Sequence, residues 1–322
     1  MVLPCSYESL RIFRNPHVHM VVANQLRYVS GVRYRRTRLE TPDGDFLDLD
    51  FSCQGFRRIA VIVHGLEGHS HRPYVLGMVR ALQQAGWDAC AVNLRGCSGE
   101  PNRKPCFYHS GMTEDLETVL RHLVHLSRYE SVALVGFSLG GNLVLKHLGE
   151  RGRELFPCVQ AAVTFSVPCD LAGAARKISE PQNRLYLKRF LKTLRQKIEA
   201  KAPLFSDRLN TDGYEAIRTL EDFDNRYTAP LHGFQDAQDY YARASCKPFL
   251  ERIAVPTLLV NALDDPFLSL SCFPYREAYR NPHLILETPD HGSHVGFVDV
   301  PHRGALWSER RAVAFLQDPP LP

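Results

Sequence analysis

The chain has 322 residues, of which 44% are hydrophobic and 23% are charged, which is enough for one large globular domain with a substantial core. Its net charge of +4 is too small to favour a nucleic-acid partner, and its two denser basic groups, residues 33–36 and 188–201, are interpreted as solvated surface. The nine cysteines are scattered and form no C-x-x-C pair, which predicts reduced thiols. There is no secretory signal, so a cytoplasmic location is predicted. No run of about 20 apolar residues occurs, so no transmembrane anchor is predicted.

Strands and helices alternate in the first half of the predicted structure. Residues 1–30 are expected to form an irregular or partly helical lead-in with a turn at Asn15-Pro16-His17. The apolar patterns and turn residues that follow predict strands 34–41, 46–52, 59–63 and 89–94 and helices 73–85 and 113–125. Strand 59–63 is continuously apolar, as in a strand that is buried on both faces. The alternation indicates a doubly wound, mostly parallel sheet.

A serine lies at the centre of the most informative pattern. Four strand-forming residues, 132–135, run into Gly136-Phe137-Ser138-Leu139-Gly140, and an apolar-periodic helix follows. Strand, sharp turn and helix around Gly-x-Ser-x-Gly are typical of the nucleophile elbow of α/β-hydrolases. We expect a side chain at either glycine to collide with the neighbouring strand or helix. The turn would expose the Ser138 hydroxyl above a helix N-terminus, which favours negative charge.

The alternation of strands and helices stops after a further buried strand at 161–165. Residues 171–246 are charged, aromatic and helix-favouring, with amphipathic helices expected at 183–200 and 236–244. We interpret this stretch as a helical cap inserted over the site, the alternative being ordinary crossover helices. The sheet then resumes with strands 256–262 and 283–287, and a last helix is expected at 303–317. The fold class predicted is an α/β-hydrolase fold, as a single domain over 1–322 with the cap at 171–246.

A serine nucleophile needs a base and an acid that orients the base, and in this fold they follow the serine in the order acid, histidine. The acid should come after the next-to-last strand, where Asp264 and Asp265 stand, and the histidine after the last strand, where His291 and His294 stand. We favour Asp265, which precedes a proline at the loop bend, over Asp264, which is expected to cap the turn. We favour His294, flanked by small and apolar residues, over His291, which is interpreted as a solvated turn residue.

Two backbone N–H groups are expected to stabilise the oxyanion that forms on an ester carbonyl. One is that of Leu139, directly after Ser138, and the other is that of Leu66, in the loop after strand 59–63. The alternative interpretation of His64-Gly65-Leu66-Glu67-Gly68 is a plain glycine-rich turn. Three histidines at 64, 69 and 71 suggest a metal, but no carboxylate cluster accompanies them, so neither a metal nor a cofactor is predicted.

Longer motifs then carry a resemblance to one family. They are HGLEG at 64–68, RPY at 72–74, NLRGCSGEPNR at 93–103, YHSG at 108–111, YTAPLHGF at 227–234, NALDDPF at 261–267 and HVGF at 294–297. With the elbow, these motifs resemble the YheT-like hydrolases, the bacterial branch of the AB hydrolase 4 family, which also holds ABHD1/ABHD3-type proteins and yeast medium-chain ester synthases. The resemblance implies a serine carboxylesterase with Ser138 as nucleophile, Asp265 as acid and His294 as base, acting on acyl esters that include medium-chain and glycerolipid substrates.

The function predicted from these observations is that of a cofactor-independent serine esterase. It would cleave a small-molecule or lipid-like acyl ester through an acyl-enzyme intermediate, in a pocket built by residues 171–246. The aromatics at 227–234 and 240–241 are candidates for lining this pocket, the equal alternative being that they pack in the core. Acyl transfer or thioester cleavage by the same three residues is a second hypothesis. A catalytically silent hydrolase fold that binds a ligand or partner is a third.

Overall fold

Nine strands of the described residues, 1–300 and 304–320, pair into one sheet in this computed structural model. They are β1 (Val2–Leu3), β2 (Arg35–Glu40), β3 (Phe46–Ser52), β4 (Arg58–Val63), β5 (Asp88–Asn93), β6 (Ser131–Phe137), β7 (Val159–Phe165), β8 (Thr257–Val260) and β9 (Leu284–Glu287). Their order across the sheet is β1-β9-β8-β7-β6-β4-β5-β3-β2. Only the pairs that β3 makes with β2 and β5 are antiparallel. The predicted mostly parallel sheet is confirmed.

Helices connect these strands and cover both faces of the sheet. They are α1 (Pro16–Val21), α2 (Pro73–Gln84), α3 (Thr113–His125), α4 (Leu139–Arg151), α5 (Leu171–Ile178), α6 (Arg184–Lys201), α7 (Leu220–Phe223), α8 (Ala229–His232), α9 (Ala237–Ala244), α10 (Tyr275–Arg280) and α11 (Trp307–Gln317). Side chains alternate along a strand, so Val61 of β4 packs with α3 and α4 whereas Ile62 packs with α2 and α11. These two apolar layers make the fold doubly wound.

Most predicted elements agree with the structure to within a few residues, and the differences concern short or terminal elements. Asn15 does not mark a turn; its side-chain oxygen accepts hydrogen bonds from the backbone N–H groups of His17 and Val18, and it therefore caps α1. Strand β1 and helix α10 were not predicted, because two and six residues are too few to show a period. The predicted start of the last helix at 303, and residues 321–322 of the predicted domain, lie outside the described residues.

The 171–246 stretch, all of which is described, is helical and contains no strand. The predicted helices at 183–200 and 236–244 correspond to α6 and α9, which bury apolar side chains in two small clusters of their own. The interpretation of the 188–201 basic group as solvated surface is wrong for two of its members. Lys201 is buried, and the Lys197 side chain is only 20% exposed, because both side chains extend from α6 toward the rest of the domain.

A helix that crosses a bilayer must be both long and apolar. Among the residues that the structure describes, no helix meets both conditions.

Candidate active site

Ser138 lies at the sharp turn between β6 and α4, and its backbone is strained. Its φ is +52° and its ψ is −121°, a combination that residues other than glycine rarely adopt. The turn is held because the Ser138 N–H donates to the carbonyl oxygen of Phe165 on β7, at 2.9 Å. A Cβ at Gly136 would lie 2.6 Å from Gly141 Cα, and one at Gly140 would collide with the carbonyl oxygen of Val63. The collisions expected at both glycines are confirmed.

The structure brings Ser138, His294 and Asp265 into one hydrogen-bonded row. Ser138 Oγ is 2.9 Å from His294 Nε2, and His294 Nδ1 is 2.8 Å from Asp265 Oδ2 and 3.1 Å from Oδ1. The three residues follow β6, β9 and β8, which are parallel strands of one sheet, so their carboxyl ends lie at the same edge. The side chains therefore meet although 156 positions separate the serine from the histidine.

Asp265 and His294 are held by contacts with their own loops. The side chain of Asp265 is fully buried, and its Oδ1 accepts a hydrogen bond of 2.9 Å from the backbone N–H of Phe267. The Phe267 ring packs against the imidazole of His294, with ring centres 4.7 Å apart. The following Val295 has a φ of +53° and donates its N–H to Ser166 Oγ, at 2.8 Å. These contacts fix the orientation of the imidazole, whose side chain is 13% exposed.

The two alternative residues stabilise the histidine loop instead of touching the serine. Asp264 Oδ1 accepts a 2.7 Å hydrogen bond from the Ser293 N–H, one residue before His294. Its Oδ2 lies 3.3 Å from His291 Nδ1, so His291 contacts Asp264 as well as solvent. Burial raises the pKa of Asp264. Asp264 thus supports the histidine loop and does not cap its own loop bend as expected, because there Asp265 accepts the local Phe267 N–H. His291 is more constrained than the solvated residue that was expected.

Between Gly65 and Glu67, the loop after β4 leaves one backbone N–H group without a hydrogen-bond partner in the described residues. The N–H of Gly65 donates to the Tyr74 hydroxyl at 3.1 Å, and the N–H of Glu67 donates to the Tyr108 hydroxyl at 2.8 Å. The N–H of Leu66 between them has no hydrogen-bond partner among the described residues, and the same holds for the N–H of Leu139. Both leucines line the same cavity as Ser138. Both tyrosines stand in the RPY and YHSG motifs, but the sequence did not reveal that their hydroxyls hold this loop.

Gly65 lets this loop approach the serine closely. A Cβ there would lie 3.0 Å from Ser138 Cβ and 3.5 Å from its Oγ. Behind the loop, His64 is fully buried, and burial lowers its pKa to about 3, so its ring is neutral. Its Nδ1 donates to the Gly65 carbonyl oxygen at 2.7 Å, and its Nε2 accepts from the Leu94 N–H at 3.2 Å. His64 therefore supports the loop with both ring nitrogens.

No group of three histidine, cysteine, aspartate or glutamate side chains is placed to hold a metal ion within residues 1–300 and 304–320. His69 and His71 lie with ring centres 6.2 Å apart and do not converge with His64 on one point.

A cavity of about 210 Å³ opens above Ser138, between the sheet edge and the 171–246 stretch. Its wall from that stretch is largely apolar and includes Leu171, Ala175, Ile178, Phe190, Leu194, Phe223, Tyr227, Leu231, Tyr240 and Tyr241. Tyr227, Tyr240 and Tyr241 were candidates for lining a pocket from the sequence. Met20, in α1, and Asn24, in the π-helical segment Val22–Leu26 that follows, also line the cavity and were not expected.

Asp224, an acidic residue of the cavity wall, is half-buried and forms no salt bridge within the described part of the chain. Asp224 accepts hydrogen bonds from the hydroxyls of Thr228, at 2.6 Å, and Tyr241, at 2.7 Å. Burial raises its pKa to about 6. The carboxyl is therefore close to half protonated in mildly acidic solution.

The sequence of this chain is similar to those of known hydrolases. A family model described as "alpha/beta hydrolase fold" matches residues 61–301. The chain is 38% identical over 296 residues to "Putative esterase YheT" of Escherichia coli, covering 90% of this chain and 86% of that protein. It is 31% identical to human "Phospholipase ABHD3" (89% and 72% covered) and 29% identical to a "Monoacylglycerol lipase" of Saccharomyces cerevisiae (88% and 63%).

Solved structures agree on the fold. Esterase Pf2001 of Pyrococcus furiosus superposes with a TM-score of 0.60 at 16% identity, covering 90% of this chain and 97% of that one. Est1E of Butyrivibrio proteoclasticus superposes with a TM-score of 0.54 at 14% identity, covering 88% and 98%. At this identity the likeness concerns the fold alone. Since the family model spans most of the sheet and the Escherichia coli relative aligns over nine tenths of the chain, this protein belongs to the α/β-hydrolase fold family and to its YheT-like group.

Proposed function

We propose that the protein is a serine esterase that cleaves carboxylic esters through an acyl-enzyme intermediate. The observation that carries the proposal is the unbroken row of hydrogen bonds from Ser138 through His294 to Asp265 at the floor of an apolar cavity. Relatives named as an esterase, a phospholipase and a monoacylglycerol lipase support ester chemistry.

The first half of the reaction transfers the acyl group to the serine. Ser138 Oγ attacks the ester carbonyl carbon while His294 Nε2 takes the hydroxyl proton. The carbonyl oxygen becomes an oxyanion and accepts hydrogen bonds from the N–H groups of Leu66 and Leu139, which have no competing protein acceptor in the described part of the chain. The intermediate then collapses, the bond to the alcohol oxygen breaks, and His294 returns the proton to the departing alkoxide.

The second half repeats the same steps with water. His294 takes a proton from a water molecule that attacks the Ser138 ester, and it returns that proton to Ser138 Oγ as the acid leaves. Asp265 acts throughout by accepting the Nδ1–H of His294, which keeps Nε2 free to receive a proton. The Phe267 N–H can only donate, so it keeps the Asp265 carboxylate oriented as an acceptor.

The substrate proposed is a small-molecule or lipid-like ester with an apolar acyl chain. The cavity wall contributed by residues 171–246 is rich in leucine and aromatic side chains, which favour burial of a hydrocarbon chain. We therefore regard 171–246 as a cap inserted into a single domain, with α5, α6 and α9 shaping the acyl site.

The test uses S138A and the wild-type enzyme on short p-nitrophenyl esters. We expect the substitution to reduce kcat by on the order of 10³-fold or more, and to abolish labelling by a fluorophosphonate, because the attacking oxygen is missing. A series of acyl-chain lengths, with added alcohol or with acyl thioesters in parallel arms, then identifies the acyl group and acceptor. Wild-type hydrolysis by S138A would overturn the proposal.

A further inference from the structure

Lys197 of helix α6 contacts the loop around Leu66, whose N–H is proposed to bind the oxyanion. The Lys197 Nζ lies 2.8 Å from Glu67 Oε1 and 3.0 Å from Cys97 Sγ, and it lies 5.0 Å from the centre of the Tyr108 ring. The Glu67 side chain is only 7% exposed. One turn further along α6, Lys201 donates to Asn102 Oδ1 at 2.8 Å. The helix is thus joined to the loops after β4 and β5 at two points, by the half-buried Lys197 and the buried Lys201.

Glu67 directly follows Leu66 and has a left-handed backbone, with a φ of +53°. For a residue other than glycine this conformation is sterically disfavoured and persists only where surrounding contacts maintain it. Here one hydroxyl provides two of those contacts: Tyr108 accepts the Glu67 N–H at 2.8 Å and donates to Glu67 Oε1 at 2.8 Å. The direction of the free Leu66 N–H therefore depends on how Glu67 is held.

We propose that Lys197 is a positioning residue for the oxyanion loop, acting through Glu67 and Tyr108; the inference rests on the proposed function. The ammonium group neutralises the Glu67 carboxylate and keeps it in place as the acceptor of the Tyr108 hydroxyl. Without the lysine, a nearly buried carboxylate would lack its counter-ion and would move toward solvent or bind a proton, and the loop would lose its restraint. Because Lys197 belongs to α6, the oxyanion loop is complete only when the 171–246 stretch is docked.

Lys197 also lines the cavity, so the test separates positioning from direct contact with substrate. The variants are K197M, K197R, E67Q, the double variant K197M/E67Q, and K192M as a control on an exposed lysine of the same helix. For each we measure kcat and KM on a short p-nitrophenyl ester and the inhibition constant of a trifluoromethyl ketone, whose adduct with serine carries an oxyanion. Thermal unfolding verifies that each variant is folded, and E67Q tests the same contact should K197M not fold.

The expected result is a loss in kcat of about 10- to 100-fold in K197M with KM within about threefold, since an oxyanion donor is misplaced but not removed. In K197M, inhibition by the trifluoromethyl ketone should weaken by the same factor as kcat/KM. K197R should recover part of the loss, and K192M should match the wild type. The double variant K197M/E67Q should be no worse than K197M alone. Wild-type kcat in K197M, a loss confined to KM, or multiplying losses in the double variant would each overturn the inference. If S138A is inactive while K197M is unimpaired, only this inference fails; if S138A is active, the proposed function fails.

Discussion

Replacing the Asp265 carboxylate by an amide should leave the fold intact and disable the base. In D265N the amide oxygen must take the Oδ1 position, because the Phe267 N–H, 2.9 Å away, can only donate. The amide nitrogen then takes the Oδ2 position, 2.8 Å from His294 Nδ1. Two donors cannot face each other at that distance, so the imidazole must carry its proton on Nε2. That proton would point at Ser138 Oγ, 2.9 Å away, where an acceptor is required.

The size of the loss follows from this change of tautomer. The comparable substitution in the serine proteases lowers kcat by about 10⁴-fold, which corresponds to about 5 kcal/mol of activation free energy. We expect a loss of this order in D265N. KM should change little, since Asp265 is fully buried beneath His294 and does not face the cavity.

The assay is steady-state hydrolysis of a short p-nitrophenyl ester, with chemical denaturation to verify equal folding. The matched control is D264N, which retains an acceptor for the Ser293 N–H and leaves the Asp265 contact unchanged. We expect D264N to stay within about tenfold of the wild type, the range of a modest loop displacement. Activity of D265N within tenfold of the wild type, or an equal loss in D264N, would refute the reasoning.

Two further predictions concern stability. Burial raises the pKa of Asp224 to about 6, above that of an unfolded aspartate, so its contribution to stability is complete below about pH 4 and is lost as the pH rises through 6. Relative to D224N, the wild type should therefore lose up to about 3 kcal/mol of unfolding free energy between about pH 4 and pH 7, measured by urea denaturation; parallel pH profiles would contradict this. Arg95 is 4% exposed and pairs with the buried Asp115 at 2.7 Å, so R95M should cost about 3–5 kcal/mol, because the carboxylate is left unpaired. The control R57M, which breaks an exposed pair with Glu130, should cost less than about 1 kcal/mol; equal losses in the two variants would disprove the argument from burial.

Much of the sheet could be predicted because its signals are local. Continuous apolar runs such as 59–63, and the glycines on either side of Ser138, depend on neighbours in the chain and on backbone sterics. Elements with little local signal were missed: β1 is only two residues long and exists through its pairing with β9, and α10 has only six residues. Asn15 was misread because turn and helix-cap chemistry use the same residue type.

The side chains proposed for catalysis follow from chain order, whereas their supports do not. Ser138 was chosen from the elbow pattern, and Asp265 and His294 were chosen because in this fold the acid and the histidine follow the last two strands. The structure brings the three side chains within hydrogen-bond distance of one another. Tyr74 and Tyr108 stand in the RPY and YHSG motifs, but nothing in those motifs indicates that the two hydroxyls hold the loop around Leu66. Their role is visible only from the bonds they accept.

The sequence by itself determined the order of strands and helices, the elbow and the candidate reacting residues, because each depends on short-range geometry and on a regular chain order. The tertiary structure alone decided which charged side chains are buried and which polar groups they contact. The basic group at 188–201 has the composition of a solvated surface, yet Lys197 and Lys201 point inward to Glu67 and Asn102. Whether a lysine faces water or a buried carboxylate depends on packing between distant segments, which the spacing of residues along one helix does not encode.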